Sequence, residues 1–243
     1  MEESIELNVG QNITKKSGCW SFDGNVPDVF ESHIRKSIPG YDFGHEIVCK
    51  MSDFFCLQDS LCYEIGTSTG ALIKKLAVRH KLSKPKIRWI GIDNIDDMLN
   101  VANKNILGID NIELINSDVR DYVFDKSDFI VSYYAIQFIP PRDRQTLINT
   151  IYSSLNWGGA FVWFEKVRAP DARFQDILNN MYINFKLSQG FTPEEIISKA
   201  ESLKTVLEPF STQGNYDLLS RAGFKDIMTI YRNICFEGVV CIK

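Results

Sequence analysis

The 243-residue sequence has no CxxC pair, and its three histidines and six cysteines never fall at zinc-ligand spacing. That excludes the common structural zinc folds. No glycine-rich turn ends in Gly-Lys-Ser/Thr, which excludes a phosphate-cradling P-loop. No apolar run approaches the roughly 18–20 residues that a membrane-crossing helix needs, so no membrane partner is expected. The opening Met1-Glu2-Glu3-Ser4 is acidic with no apolar stretch behind it, so a secretory leader is not expected. His45-Glu46-Ile47-Val48-Cys49 starts like the zinc-protease motif HExxH but ends in cysteine, and no metal is expected. Positive charge is also short: 27 Lys and Arg stand against 31 Asp and Glu, a net charge of −4. Nothing there draws in nucleic acid, and the basic stretch between Arg79 and Lys86 is too small to bind RNA.

What is present reads as one large α/β domain. Hydrophobic residues make up 44% and charged residues 24%, enough to build a substantial core at this length. Cysteines in apolar runs, such as Leu61-Cys62-Tyr63, read as buried reduced thiols, and with them a cytoplasmic location is expected. Residues 1–18 lack periodicity and read as a flexible arm. Residues 19–60 read as a helical lead-in or lid: one helix opens at Val26-Pro27-Asp28 and closes before Ser37-Ile38-Pro39-Gly40-Tyr41, and a second spans 42–55.

From residue 61 short apolar runs alternate with amphipathic ones. Strands are expected at 61–65, 87–92, 112–115, 129–134 and 160–165, with helices at 70–80, 95–104 and 142–155. The third helix is expected to end at Trp157-Gly158-Gly159, where glycine suits a left-handed cap. This alternation predicts a mainly parallel sheet with helices on both faces. Residues 170–215 read as a helical insertion, with helices at 171–189 and 193–205. A short helix follows at 215–221, and runs 227–232 and 238–242 predict a closing antiparallel hairpin, seven strands in all.

Three strand tips carry chemical signals. Glu64-Ile65-Gly66-Thr67-Ser68-Thr69-Gly70 follows the first strand and opens a helix. Glycine at 66 lets a ligand approach the backbone, and glycine at 70 lets helix and strand pack closely. Asp93, at the tip of the second strand, has the chemistry to accept both hydroxyls of a ribose; as an alternative it caps the next helix. Asp118, in Asn116-Ser117-Asp118-Val119-Arg120-Asp121, has the chemistry to accept from an adenine amino group, with Val119 against the ring. In an open α/β sheet the three tips share one crevice at the carboxyl ends of the strands.

The sequence resembles the class I S-adenosylmethionine methyltransferases, with their Rossmann-like fold. Over nearly its whole length it resembles more closely the carboxy-S-adenosylmethionine synthase family of tRNA wobble-uridine modification. The segments that carry this include Trp20-Ser21-Phe22-Asp23, Arg35 through Tyr41, Ile92-Asp93-Asn94, Asp118-Val119-Arg120-Asp121, Gln137-Phe138, Leu155 through Ala160, Glu165-Lys166, Asn184-Phe185-Lys186 and Ala222-Gly223-Phe224. The resemblance implies S-adenosyl-L-methionine, or its carboxylated form, as cofactor. The residues expected around it are Tyr41, Glu64, Gly66, Thr67, Ser68, Gly70, Asp93, Asn94, Met98, Asp118, Val119 and Tyr133. It also implies a homodimer, with the late helices near the partner's pocket.

Three departures from that family stand out. Its members place an arginine shortly before Ala-Gly-Phe to pair with the carboxylate of the modified cofactor; here that position aligns with Leu218, beside Asp217, and Arg221 lies three residues on. Tyr133 stands where the family usually has asparagine, and Tyr182 and Asn184 replace its usual polar or charged residues. Leucine cannot make the bidentate carboxylate contact, so the sequence favours methyl transfer to a small-molecule acceptor over carboxy-S-adenosylmethionine synthesis from prephenate. A non-catalytic cofactor-binding subunit is the third reading. Tyr133, Tyr134 and Glu165 are the candidate catalytic residues, Glu165 because a carboxylate there can take a proton. Gln137, Arg168 and Tyr182 are the candidates for holding the acceptor.

Overall fold

The computed structural model describes residues 7–10, 13–24, 26–84 and 86–243. The central sheet contains β3 (Leu61–Ile65), β4 (Arg88–Asp93), β5 (Ile112–Asn116), β6 (Ser127–Tyr133), β7 (Leu155–Lys166), β8 (Asp226–Asn233) and β9 (Phe236–Ile242), ordered β5-β4-β3-β6-β7-β9-β8. The pairings are parallel from β5 through β7 and antiparallel for β7 with β9 and β9 with β8. This is the doubly wound sheet with a terminal hairpin that the alternation predicts. Chain order reverses between β3 and β6, which is where ligands bind in such sheets.

The strands read as apolar runs because both faces are covered. One face packs on α2 (Tyr41–Phe55) and α3 (Ala71–His80), burying Val48, Leu72, Leu76, Trp89, Phe129 and Phe164. The other packs on α5 (Pro141–Ser154) and α8 (Thr212–Ala222), burying Tyr63, Ile148, Phe161, Trp163, Leu219 and Phe224. The remaining helices are α1 (Val26–Ser37), α4 (Asp96–Asn105), α6 (Ala172–Ser188) and α7 (Pro193–Ser202). Thr192 closes a capping box with Glu195 at the start of α7, which pins that end sharply.

Two expectations are corrected. The helix before β7 stops at Ser154, and Leu155 is already extended and paired with Ser127. Glycine does not cap it: Lys243 Nζ donates to the carbonyls of Tyr152 and Leu155, both at 2.8 Å, satisfying the helix end with a cation. Residues 7–10 and 13–18 of the expected arm carry a short hairpin, β1 (Leu7–Asn8) with β2 (Thr14–Lys15). Val9 and Ile13 are fully buried there, and the Gly18 N–H donates to the Glu201 carbonyl at 2.9 Å. The signal there was short: Ile5, Leu7 and Val9 alternate with polar neighbours over only five residues, and Ile13 stands alone. Residues 1–6 of the arm lie outside the described residues. All six cysteines are free; five are buried and Cys19 is exposed. Among the described residues no helix is long and apolar enough to cross a membrane.

Candidate active site

The carboxyl ends of β3, β4, β5 and β6 open into one cavity of about 640 Å³, roofed by α1, the start of α2, α6 and α7. That volume suits a small-molecule site. Gly66 sits at φ 72°, and a Cβ there would lie 2.3 Å from Cβ of Ala135, so only glycine lets the β3 and β6 tips close together. The Asp93 carboxylate accepts from the Ser68 N–H at 2.8 Å and the Ile95 N–H at 3.0 Å. It thereby ties the turn after β3 to the start of α4, and each oxygen keeps a further lone pair. Burial raises its pKa. Arg120 contacts the Asp118 carboxylate at 2.6 Å and holds its pKa down. Buried Glu64 accepts from Thr67 Oγ1 at 2.8 Å, and burial pushes its pKa up to about 8.

Tyr41, Glu64, Gly66, Thr67, Ser68, Asp93, Asn94, Met98, Asp118, Val119 and Tyr133 all line this cavity. Gly70 does not. It stands at φ 75° with Ala102 Cβ 3.2 Å from where its own Cβ would be, so it serves the packing of α3 on α4. Tyr134, Gln137 and Tyr182 also line the cavity. The Gln137 amide is already committed: Nε2 donates to the Tyr134 carbonyl at 3.0 Å and Oε1 accepts from the Lys166 N–H at 2.9 Å.

Three expected residues face elsewhere. Glu165 is buried on the opposite face of β7, accepting from the Gln137 N–H at 3.1 Å beside Thr212 and Glu237. Neighbours on a strand point to opposite faces, so it is Lys166 that reaches the cavity. Arg168 is exposed and donates to the Pro209 carbonyl at 3.2 Å. Leu218 is 3% exposed in the core beneath α5, so its identity says nothing about an anion site.

Sequence reasoning missed the cavity's cations. Lys166 from β7, Lys186 from α6 and Lys199 from α7 all line it. Lys186 is 7% exposed and the other two are half-buried. Among the described residues none of the three pairs with a carboxylate; Lys166 and Lys186 lie over the Tyr182 ring at 4.5 and 4.8 Å, and Lys199 over that of Trp20. Desolvation and then the Lys166 charge push the Lys186 pKa down to about 7. Trp20 Nε1, both ring nitrogens of His33, Ser37 Oγ, His45 Nε2 and Tyr134 Oη are buried at this cavity without a hydrogen-bond partner among the described residues. Buried polar atoms are ordinarily paired, so this concentration fits a polar ligand. An aromatic wall of Tyr41, His45 and Tyr133, with ring centroids 4.6–5.2 Å apart, completes it. The strand tips suit a nucleoside, the wall suits a sulfonium and the lysines suit an anion.

Residues 63–159 match the methyltransferase domain family. The chain is 38% identical to a carboxy-S-adenosyl-L-methionine synthase of Staphylococcus epidermidis, over 92% of this chain and 97% of that one. It is 30% identical to the enzyme of the same name from Shewanella oneidensis, over 100% and 98%. Among solved structures, human N-acetylserotonin methyltransferase in complex with S-adenosylmethionine aligns with a TM-score of 0.58 at 15% identity, over 92% of this chain and 60% of that one. An O-methyltransferase family protein from Burkholderia thailandensis aligns with a TM-score of 0.61 at 15% identity, over 91% and 60%. At that identity the likeness is one of fold.

Proposed function

This chain belongs to the carboxy-S-adenosyl-L-methionine synthase family, on a class I methyltransferase fold, and from that premise we propose that it makes carboxy-S-adenosylmethionine from S-adenosylmethionine and prephenate. The observation that carries this reading is the cluster of Lys166, Lys186 and Lys199 at the cavity, amines whose pKa values burial lowers and that have no carboxylate partner among the described residues. They supply the anion site that Leu218 had argued was missing.

The chain's own residues divide the work. Asp93 and Asn94 take the ribose hydroxyls, and Asp118 and Val119 the adenine. Glu64, Gly66, Thr67, Ser68 and Met98 shape the floor. Tyr41, Tyr133 and Tyr134 face the reactive end, whose positive charge their rings attract. When bound, the cofactor supplies a methyl group activated by the sulfonium. Tyr182 and the lysines would hold prephenate with its ring carboxyl against that methyl: the carboxyl carbon leaves the ring and bonds the methyl carbon, the methyl gives up one proton, and the ring hydroxyl departs with that proton as water, leaving phenylpyruvate. This placement is the main lever on rate. The exposed apolar stripe Phe174, Ile177 and Met181 on α6 supports the expected homodimer, and the free thiols suit the expected cytoplasmic setting.

A second reading is methyl transfer to an anionic small molecule. Tyr133 favours it, because it spends its only donor on the Tyr41 carbonyl at 2.5 Å, where an asparagine amide would offer two. Mass spectrometry after incubation with S-adenosylmethionine and prephenate decides between them. A cofactor heavier by one carboxyl group is expected. Accumulation of the demethylated cofactor with a methylated acid overturns carboxylation in favour of methyl transfer. Cofactor binding with neither product leaves a non-catalytic binding protein.

A further inference from the structure

Three tyrosine hydroxyls converge on one short backbone segment. Tyr182 of α6 donates to the carbonyl of Ser37 at 2.9 Å, Tyr231 of β8 to that of Pro39 at 2.5 Å, and Tyr133 of β6 to that of Tyr41 at 2.5 Å. The acceptors are alternate residues of the corner that joins α1 to α2. Each donor is distant in sequence, at 145, 192 and 92 residues from its acceptor. The Ser37 carbonyl belongs to the last turn of α1, where carbonyls lack helical partners.

The corner is built to admit these hydroxyls. Gly40 stands at φ 67°, and a Cβ there would lie 2.4 Å from Tyr231 Oη. A Cβ on Gly44 would lie 2.1 Å from Tyr133 Oη. Any side chain at either position displaces a tyrosine. The segment so held delivers Tyr41, buried with its ring against His45 and Tyr133, to the cavity wall.

We propose that Tyr133, Tyr182 and Tyr231 form a clamp on the backbone of Ser37–Tyr41 that sets the position of Tyr41 at the methionine end of the cofactor. Tyr231 does not line the cavity and is a positioning residue; Tyr182 combines that role with its place in the wall. The clamp ties three separate elements, one of them in the helical insertion, to the corner. Its functional half rests on the cavity being an S-adenosylmethionine site; its structural half does not.

Tyr182→Phe, Tyr231→Phe and the double variant keep the rings and remove only hydroxyls. In ligand-free protein, amide exchange across residues 41–48 is expected to speed up about tenfold in the double variant, from the loss of two net hydrogen bonds. Exchange across α5 stays at the wild-type rate. Unchanged exchange at residues 41–48 overturns the clamp whether or not any ligand binds. By calorimetry, the double variant is expected to bind S-adenosylmethionine about tenfold more weakly and adenosine within about twofold of wild type. Equal losses for both ligands, or none, contradict positioning at the methionine end. Wild-type protein that binds no S-adenosylmethionine defeats the cavity reading, and the exchange result still decides the clamp.

Discussion

The two ends of the cavity are built on opposite terms. At the strand tips the protein satisfies its own polar groups: Asp93 bonds to the Ser68 and Ile95 amides, Asp118 pairs with Arg120, and Glu64 accepts from Thr67. Under α1, α6 and α7 it does not: among the described residues three lysines have no carboxylate partner, and the His33 ring nitrogens and Ser37 Oγ have no hydrogen-bond partner. The first end is preorganised by its own hydrogen bonds. The second keeps desolvated groups unpaired among the described residues, at a standing cost in stability.

Replacing those lysines breaks the comparison most strongly. Lys186→Met with Lys199→Met is expected to weaken an anionic ligand by about 3 kcal/mol, over 100-fold, as two charge-assisted contacts are lost. The same variant should unfold at a higher temperature without ligand, since two desolvated amines have been replaced by apolar chains. Calorimetry and a thermal melt read the two opposite signs. Next in size is Leu218→Ala, expected to cost about 2–3 kcal/mol of stability through the cavity it leaves while ligand affinity holds. A loss of anion affinity in that variant at temperatures where it is folded would return Leu218 to the site.

The smallest effect tests the buried acid that faces away. Burial pushes the Glu165 pKa up to about 8 from 4.5. The folded state therefore holds a proton that the unfolded state releases, and this contribution is full below about pH 4.5 and lost as pH rises through 8. Glu165→Gln should flatten that decline and raise the melting midpoint at pH 9 by about 2–4 °C per kcal/mol recovered. A variant that melts with the wild-type pH profile would show Glu165 to be solvated.

The comparison also explains what the sequence made legible. Gly66, Asp93 and Asp118 sit at strand ends, where local pattern fixes the element and topology fixes the crevice, so their convergence followed from periodicity alone. The lysines lie far apart in sequence, on β7, α6 and α7; Lys166 and Lys186 fall in segments that carry the family resemblance, but nothing local says that the two share a cavity with Lys199. Only tertiary packing brings them together. Glu165 and Lys166 show the finer limit: a strand-end pair was located, but which of the two faces the cavity depends on strand register. Leu218 failed for a related reason, since a helix position was assigned to the site without knowing which face of α8 packs on α5.

The most direct test of the lysine end is a pair of calorimetric titrations at neutral pH, one with S-adenosylmethionine and one with its carboxylated form. The lysines predict that the carboxylated cofactor binds at least tenfold more tightly, and that the gap closes in Lys186→Met with Lys199→Met. Equal affinities in the wild-type protein, or tighter binding of the uncarboxylated cofactor, would contradict it.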